Sequence, residues 1–103
     1  MVAQPYYTQW QQVLDLVQQA VQQDQHELLL TLLMTLDERE ALVARVNIVH
    51  ELLSGDMSQR QISQMLGVGI ATITRGSNEL KSRSEQDKAT LAQLLTSPAS
   101  PTR

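Results

Sequence analysis

The residues with the clearest potential chemistry are small, uncharged side chains that follow a glycine in the second half of the chain. They are Ile70, Ala71, Thr72 and Thr74, preceded by Gly69. In the major groove of DNA, hydroxyl groups can exchange hydrogen bonds with base edges and methyl groups can contact the thymine methyl. None of the four carries a guanidinium, so a bidentate contact to guanine is not available from them.

Polar groups nearby in the sequence suit contacts with the phosphate backbone. Gln59 and Arg60 lie about ten residues earlier, where they could reach phosphates or the groove edge, and Ser63 follows on the same segment. The backbone amides after Gly69 would add a helix N-terminus, which attracts phosphate. We therefore predict a DNA-contacting set that combines Gln59, Arg60, Ser63 and Gly69 with the small side chains after Gly69.

Two short helices are needed to position this set, and the stretch from Met57 to Lys81 predicts them. Ser58 and Gln61 have the spacing of a capping box, and Met57 precedes the cap as in a hydrophobic staple. Gly67 permits a tight turn between the helices. The expected buried seam consists of Ile62, Leu66, Val68, Ile70 and Ile73. This pattern is typical of a helix-turn-helix, although two helices with a glycine turn could also simply pack within an all-helical protein.

Composition limits the class of protein. The chain has 103 residues, 42% of them hydrophobic, without cysteine or phenylalanine. It therefore predicts one small globular domain with an aliphatic core and neither a disulfide framework nor a thiolate metal site. It shows no signal peptide and no apolar run long enough for a membrane span, so we expect a soluble, cytoplasmic protein.

The net charge of −3 is unusual for a DNA-binding protein, but its distribution is uneven. The segment from Met57 to Ser84 contains four basic side chains and one acidic side chain, so its net charge is +3. A basic head on an acidic body attracts phosphate at the head alone. The global acidity is therefore weak evidence against DNA binding.

The segments before the helix pair predict a helical dimer core over residues 6–56, after a flexible arm at residues 1–5. An amphipathic first helix should begin near Tyr6 or Tyr7 and bury an apolar stripe. Residues 28–34 are apolar nearly all round, which favours an interface where two chains share one core. Thr35 and Glu38 form a second capping-box pattern, so a long helix should start there and end before Gly55.

After the helix pair, residues 86–96 predict a last short helix, and residues 97–103 a disordered tail. The whole chain is thus expected to be all-α, with about six helices and with residues 57–81 as the reading head of a domain spanning residues 6–96. His26 and His50 lack a second ligand at metal spacing, so we interpret both as structural or surface residues.

Three runs of sequence identify a resemblance to a known family. They are LDEREALVARV from Leu36, ELLSGDMSQRQIS from Glu51 and LGVGIATITRGSNELK from Leu66, and together they resemble the tryptophan repressor family. The resemblance implies an interlocked, all-helical homodimer that binds palindromic operator DNA of tryptophan biosynthesis and transport genes when L-tryptophan is bound. Helix-turn-helix docking and water-mediated base contacts are well known in this family, so both are expected here from the resemblance.

The resemblance also implies a ligand site for the corepressor L-tryptophan. Arg75 would bind the ligand carboxylate with help from Thr35, and Arg45 and Arg75 would enclose the indole ring, which guanidinium planes can do by stacking. Gly76 would let the indole lie close to the backbone. The main-chain carbonyls of the apolar helix would accept hydrogen bonds from the ligand ammonium. These carbonyls belong to Leu32 and Met34.

Three positions depart from the familiar pattern of the family. Glu79 replaces a serine that helps to hold the ammonium, Ser63 replaces a common lysine, and Leu36 replaces a proline at the start of the long helix. A carboxylate at position 79 could bind the ammonium more strongly than a hydroxyl, or could cost more to desolvate.

Two other functions stay open at this point. A helix-turn-helix protein that needs no ligand would keep Ile70 to Thr74 but would not need Arg45 opposite Arg75. A helical protein-interaction module would use residues 28–34 to bind a different protein. An enzyme is not expected, since no pair of carboxylates, no nucleophile with its base and no phosphate loop occurs in a suitable context.

Overall fold

The computed structural model describes residues 2–96, which form six α-helices and no strand. They are α1 (Trp10–Gln22), α2 (His26–Leu33), α3 (Leu36–Ser54), α4 (Gln59–Leu66), α5 (Ile70–Lys81) and α6 (Glu85–Leu95). The chain divides into two compact units, Met1–Arg39 and Glu40–Arg103. The all-α class is confirmed, and the expected tail at residues 97–103 lies outside the described residues.

The first unit contains α1 and α2, which contact each other. The predicted start of α1 near Tyr6 or Tyr7 is wrong, because the helix begins at Trp10. The side chain of Gln12 reaches back to accept hydrogen bonds from the backbone amides of Thr8 (2.8 Å) and Gln9 (3.0 Å). These amides are the unsatisfied donors of a helix N-terminus, so a glutamine three residues into the helix sets where α1 starts.

Apolar side chains of the first unit are more exposed than the helical pattern predicts. Ala20 is its buried residue, whereas Trp10 is 71% exposed, Leu28 67% and Leu32 80%. The predicted stripe of α1 is therefore only partly buried within one chain. The structure confirms a short helix over the apolar segment, α2, but most of its leucine side chains lie on the surface of this unit.

The long helix α3 begins where the capping-box pattern predicts. The Thr35 amide donates to the Glu38 carboxylate (2.8 Å), and the Glu38 amide donates to the Thr35 hydroxyl (3.1 Å). At the other end, Gly55 has a φ of +73°, a left-handed conformation that glycine adopts without steric cost. Both predicted ends of this helix are thus confirmed.

The second unit is built around the helix pair. Ser58 caps α4, accepting from the Gln61 amide (3.1 Å) while its own amide donates to the Gln61 side chain (2.8 Å). Gly67 ends α4 with a φ of +68°. The second unit's core consists of Ile48, Ile62 and Ile73, with Leu52, Met57, Leu66 and Val68 packed around it.

One member of the predicted seam does not belong to this core. Ile70 is 48% exposed although it is three residues before the fully buried Ile73 and so on the same side of the helix, because it is the first residue of α5, at the edge of the core. The remaining four members pack as predicted. Within the described part of the chain, no helix combines the length and apolar character needed to cross a membrane.

Candidate ligand cavity and nucleic-acid interface

The first turn of α5 presents most of the predicted DNA-contacting side chains to solvent. Gly69 is the N-cap, with an extended backbone (φ −69°, ψ 151°), so the amides that follow it are at the positive end of the helix dipole. Ile70, Ala71 and Thr74 are exposed, while Thr72 is half-buried. The surface at this helix start is therefore small, uncharged and rich in methyl groups, as the sequence predicts.

Residues of α4 lie beside this surface. The Thr74 hydroxyl donates to the side-chain oxygen of Gln59 (3.1 Å), which joins the two helices at the predicted interface. Arg60 is exposed and free to extend towards phosphate. The half-buried Ser63 instead donates its hydroxyl to the Val68 carbonyl, so this side chain supports the turn between α4 and α5.

A cavity of about 740 Å³ opens in the second unit between α3, α5 and α6. Its walls include Arg45 and Val49 from α3, Thr72 and Arg75 from α5, and Leu91 from α6. Guanidinium groups beside apolar side chains suit a ligand that has both a carboxylate and a flat apolar body. Four of the predicted ligand residues line this cavity: Arg45, Arg75, Gly76 and Glu79.

Gly76 has a packing role that sequence reasoning missed. A Cβ atom built at this position would lie 3.2 Å from Cγ2 of Ile48 and 3.7 Å from Cδ1 of Leu52. The glycine therefore allows α5 to approach α3 closely. Since Gly76 also lines the cavity, the spacing of the two helices sets the width of the site.

Glu79 lies at the far end of α5 and is exposed. Its carboxylate oxygen Oε2 is 4.0 Å from Nη2 of Arg83, one helical turn further along the chain. Both residues line the cavity, so its walls carry three guanidinium groups and one carboxylate. Arg83 is a third cation of this site that sequence reasoning missed, and the i, i+4 spacing to Glu79 could have indicated it.

The other predicted ligand residues, Leu32, Met34 and Thr35, lie in the first unit. The Met34 carbonyl already accepts a hydrogen bond from Nη1 of Arg39 (2.9 Å), which also donates to the Thr31 carbonyl (3.0 Å). A carbonyl oxygen has two lone pairs, so Met34 can still accept a second donor. The Thr35 hydroxyl accepts within the capping box and can still donate its own proton.

The second unit also contains a buried acid that the sequence pattern did not indicate. Glu51 is 2% exposed, and its Oε2 lies 3.2 Å from Nδ1 of His50. His50 is thus a half-buried structural residue and not a surface one. Among the described residues, no group of three histidines or acids is arranged to hold a metal ion.

Comparison with known proteins gives one consistent result. The family model described as Trp repressor protein matches residues 8–95. A Trp operon repressor homolog of Vibrio cholerae is 81% identical over 100 residues, covering 97% of both chains. Homologs of the same description from Vibrio vulnificus (73% identical, 92% of this chain and 93% of the relative) and Aliivibrio salmonicida (65%, 86% and 82%) are also similar.

Proposed function

This chain belongs to the Trp repressor family, and we propose that it represses transcription as an L-tryptophan-dependent homodimer bound to palindromic operator DNA of tryptophan biosynthesis and transport genes. L-Tryptophan is the corepressor, and the proposal needs neither a metal nor another cofactor. The family is one of transcription regulators, so the chain is not an enzyme. A DNA-binding repressor acts where the chromosome is, which in a bacterium is the cytoplasm.

The observation that supports the ligand most directly is the cavity beside the helix pair. Arg75 supplies a cation for the carboxylate of an amino acid, and Arg45 supplies a second guanidinium plane for stacking on an indole. The other proposed ligand residues are Leu32, Met34, Thr35, Gly76 and Glu79. A ligand held between α3 and α5 would fix the position of the helix that starts at Ile70.

The proposed DNA contacts use the exposed start of α5 together with α4. Ala71, Thr72 and Thr74 would meet base edges, with Ile70 contacting a thymine methyl. Gln59, Arg60, Ser63 and the Gly69 amides would contact the backbone or the groove edge. Because the base-contacting side chains at the start of α5 are small and uncharged, we expect most of the affinity to come from phosphate contacts and thus to depend strongly on salt.

The exposed apolar side chains of the first unit support self-association. Leu28 and Leu32 of α2 and Trp10 of α1 are each more than two-thirds exposed in a single chain. Such a surface is costly to leave in water, and a symmetric dimer can cover it on both copies at once. We propose that residues 6–56 form the core of this interlocked dimer.

Binding of a labelled palindromic operator, measured by fluorescence anisotropy with and without L-tryptophan, tests the proposal. Arg75→Ala should abolish the tryptophan response, since it removes the carboxylate partner. Arg60→Ala, a matched loss of one arginine from α4, should weaken operator binding, leave the Kd for L-tryptophan unchanged and lower the salt slope by about one. Sedimentation of the same samples should give a dimer.

Each competing function gives a different result. A wild-type protein that binds the operator equally well with and without L-tryptophan would be a ligand-independent DNA-binding protein. A monomer that binds neither operator nor L-tryptophan would favour a protein-interaction module. Binding must also be reciprocal: operator DNA has to tighten L-tryptophan binding by the factor by which L-tryptophan tightens operator binding.

A further inference from the structure

We propose that Arg83 and Glu79 form an exchangeable ion pair that makes the cavity selective for a ligand carrying an ammonium group; this inference rests on the proposed function. In the structure, Arg83 lies beside the Glu79 carboxylate (Nη2 to Oε2, 4.0 Å), and both line the cavity. A ligand ammonium would replace Arg83 as the partner of Glu79. Arg83 thus competes with the ligand for one carboxylate.

The end of α5 holds the two side chains next to each other. The Ser82 hydroxyl donates to the Glu79 carbonyl (2.7 Å), and the Arg83 amide donates to the Leu80 carbonyl (3.1 Å). These bonds continue the turn past Lys81, where the helix ends, so Arg83 stays one turn beyond Glu79. A cation at this place is also favoured by the negative end of the helix dipole.

The pair is weak enough to exchange. Its side chains are 57% and 76% exposed, and the distance between the charged atoms is at the upper limit for an ion pair. Exposed pairs of this kind contribute little, because water screens the charges and two flexible side chains must be ordered. A ligand held by its carboxylate and its ring would present an ammonium at high local concentration, and charge-assisted hydrogen bonds are stronger than neutral ones.

The charges of the cavity explain why the carboxylate matters for selectivity. Without Glu79, the remaining charged groups on the walls would be the guanidiniums of Arg45, Arg75 and Arg83. Such a site would favour a simple anion and repel an ammonium. Glu79 provides the only acid on the described walls, so it allows an amino acid to bind where a plain carboxylic acid would otherwise be preferred.

Calorimetric titration of the full-length protein with L-tryptophan and with indole-3-propionate, which lacks the ammonium, tests this inference. Glu79→Gln should raise the Kd for L-tryptophan roughly fivefold and leave that for indole-3-propionate unchanged or lower. Arg83→Ala should lower the Kd for L-tryptophan about twofold to threefold, because the competitor for Glu79 is gone. In the Glu79→Gln background, Arg83→Ala should no longer tighten L-tryptophan binding.

Lys81→Ala is the matched control, because it removes an exposed cation from the same helix end that does not line the cavity. It should leave both Kd values unchanged. An unchanged or raised Kd for L-tryptophan in Arg83→Ala would overturn the exchange, and an unchanged ratio of the two Kd values in Glu79→Gln would overturn the selectivity. If the wild-type protein fails to bind L-tryptophan at all, the proposed function itself is wrong.

Discussion

Gly76→Ala would test whether the close approach of α5 to α3 determines both the stability of the second unit and the shape of its proposed ligand site. The added methyl group would lie 3.2 Å from Cγ2 of Ile48. That contact is a few tenths of an ångström shorter than two carbon atoms prefer. Ile48 is 2% exposed and β-branched, so it has little freedom to move aside.

Two opposing terms set the magnitude. Alanine is favoured over glycine inside a helix by about 1 kcal/mol. Inserting a methyl group into a packed core costs typically about 1–3 kcal/mol. We therefore expect a net destabilisation of about 1 kcal/mol, together with weaker L-tryptophan binding, because a shift of α5 changes the spacing between Arg45 and Arg75 on opposite cavity walls.

Urea unfolding at fixed protein concentration would measure the stability, since a dimer's apparent stability depends on concentration. Ile48→Leu removes the Cγ2 methyl that would meet the new side chain while keeping the volume. In a double-mutant cycle it should recover part of the loss in Gly76→Ala. Gly69→Ala is a control for steric contact alone, because nothing lies within 4 Å of a Cβ at that glycine, but as the N-cap it lacks the gain in helix propensity expected at Gly76.

The sign of the result decides the matter. If Gly76→Ala were more stable than wild type by about 1 kcal/mol, helix propensity alone would dominate and the 3.2 Å contact would relax freely. If Gly76→Ala lowered the free energy of unfolding by the same amount in the wild-type and Ile48→Leu backgrounds, the destabilisation would not come from this contact. Either outcome would refute the packing role given to Gly76.

Three other predictions follow from local contacts. Ser58→Ala should destabilise the protein by about 1 kcal/mol in urea unfolding, because the α4 cap is lost. The amide and hydroxyl of Thr35 hold the pKa of Glu38 below the unperturbed value of 4.5, so this carboxylate stabilises the fold above that pH and loses its contribution as the pH falls through the lowered pKa. Thr74→Ala should weaken operator binding and spare L-tryptophan binding, whereas Thr72→Ala should weaken both because Thr72 also lines the cavity.

Each of these has a control and a contrary outcome. Ser58→Asn keeps a capping oxygen and should retain most of the stability. If Ser58→Asn and Ser58→Ala lowered the free energy of unfolding equally, the capping role would be contradicted. Glu38→Gln should flatten the pH dependence of unfolding below pH 4.5, the unperturbed value from which the pKa of Glu38 is lowered. An unchanged slope would contradict the assignment. A normal Kd for L-tryptophan in Thr72→Ala would show that its place on the wall has no energetic effect.

Most of the helix boundaries could be predicted from short sequence signals. The capping boxes at Thr35 and Ser58 and the glycine at position 67 predicted helix ends that the structure confirms. These signals are reliable because each satisfies backbone groups within three or four residues, so no distant part of the chain can change the outcome. The start of α1 is not evident from the sequence because Gln9, at the N-cap, is not a usual capping residue, although Gln12 accepts from its amide at the third helical position, where glutamine is common.

Contacts between helices could not be predicted in the same way. The sequence indicated Gly76 through a family resemblance, but the approach to Ile48 depends on how α5 packs on α3. The burial of Glu51, which is 2% exposed, is likewise a property of the packed helices that its local sequence pattern does not indicate. The spacing of Ile70 predicts a place in the seam, yet a residue in the first turn of a helix can lie outside the core that its own periodicity suggests.

The positions along α5 support the proposal that one helix serves a ligand and an operator together. Thr72, Arg75, Gly76 and Glu79 follow the i, i+3, i+4, i+7 spacing of a single helix face, and all four line the cavity. Ile73 and Ser77, one turn apart, form the buried face, and Ala71 and Thr74 lie on the exposed one. A helix moves as a rigid body, so a ligand that fixes the cavity face also fixes the exposed face. In the proposed site, tryptophan would need no contact with DNA to control operator binding: it would have only to bind more tightly when the helix is placed as the operator requires.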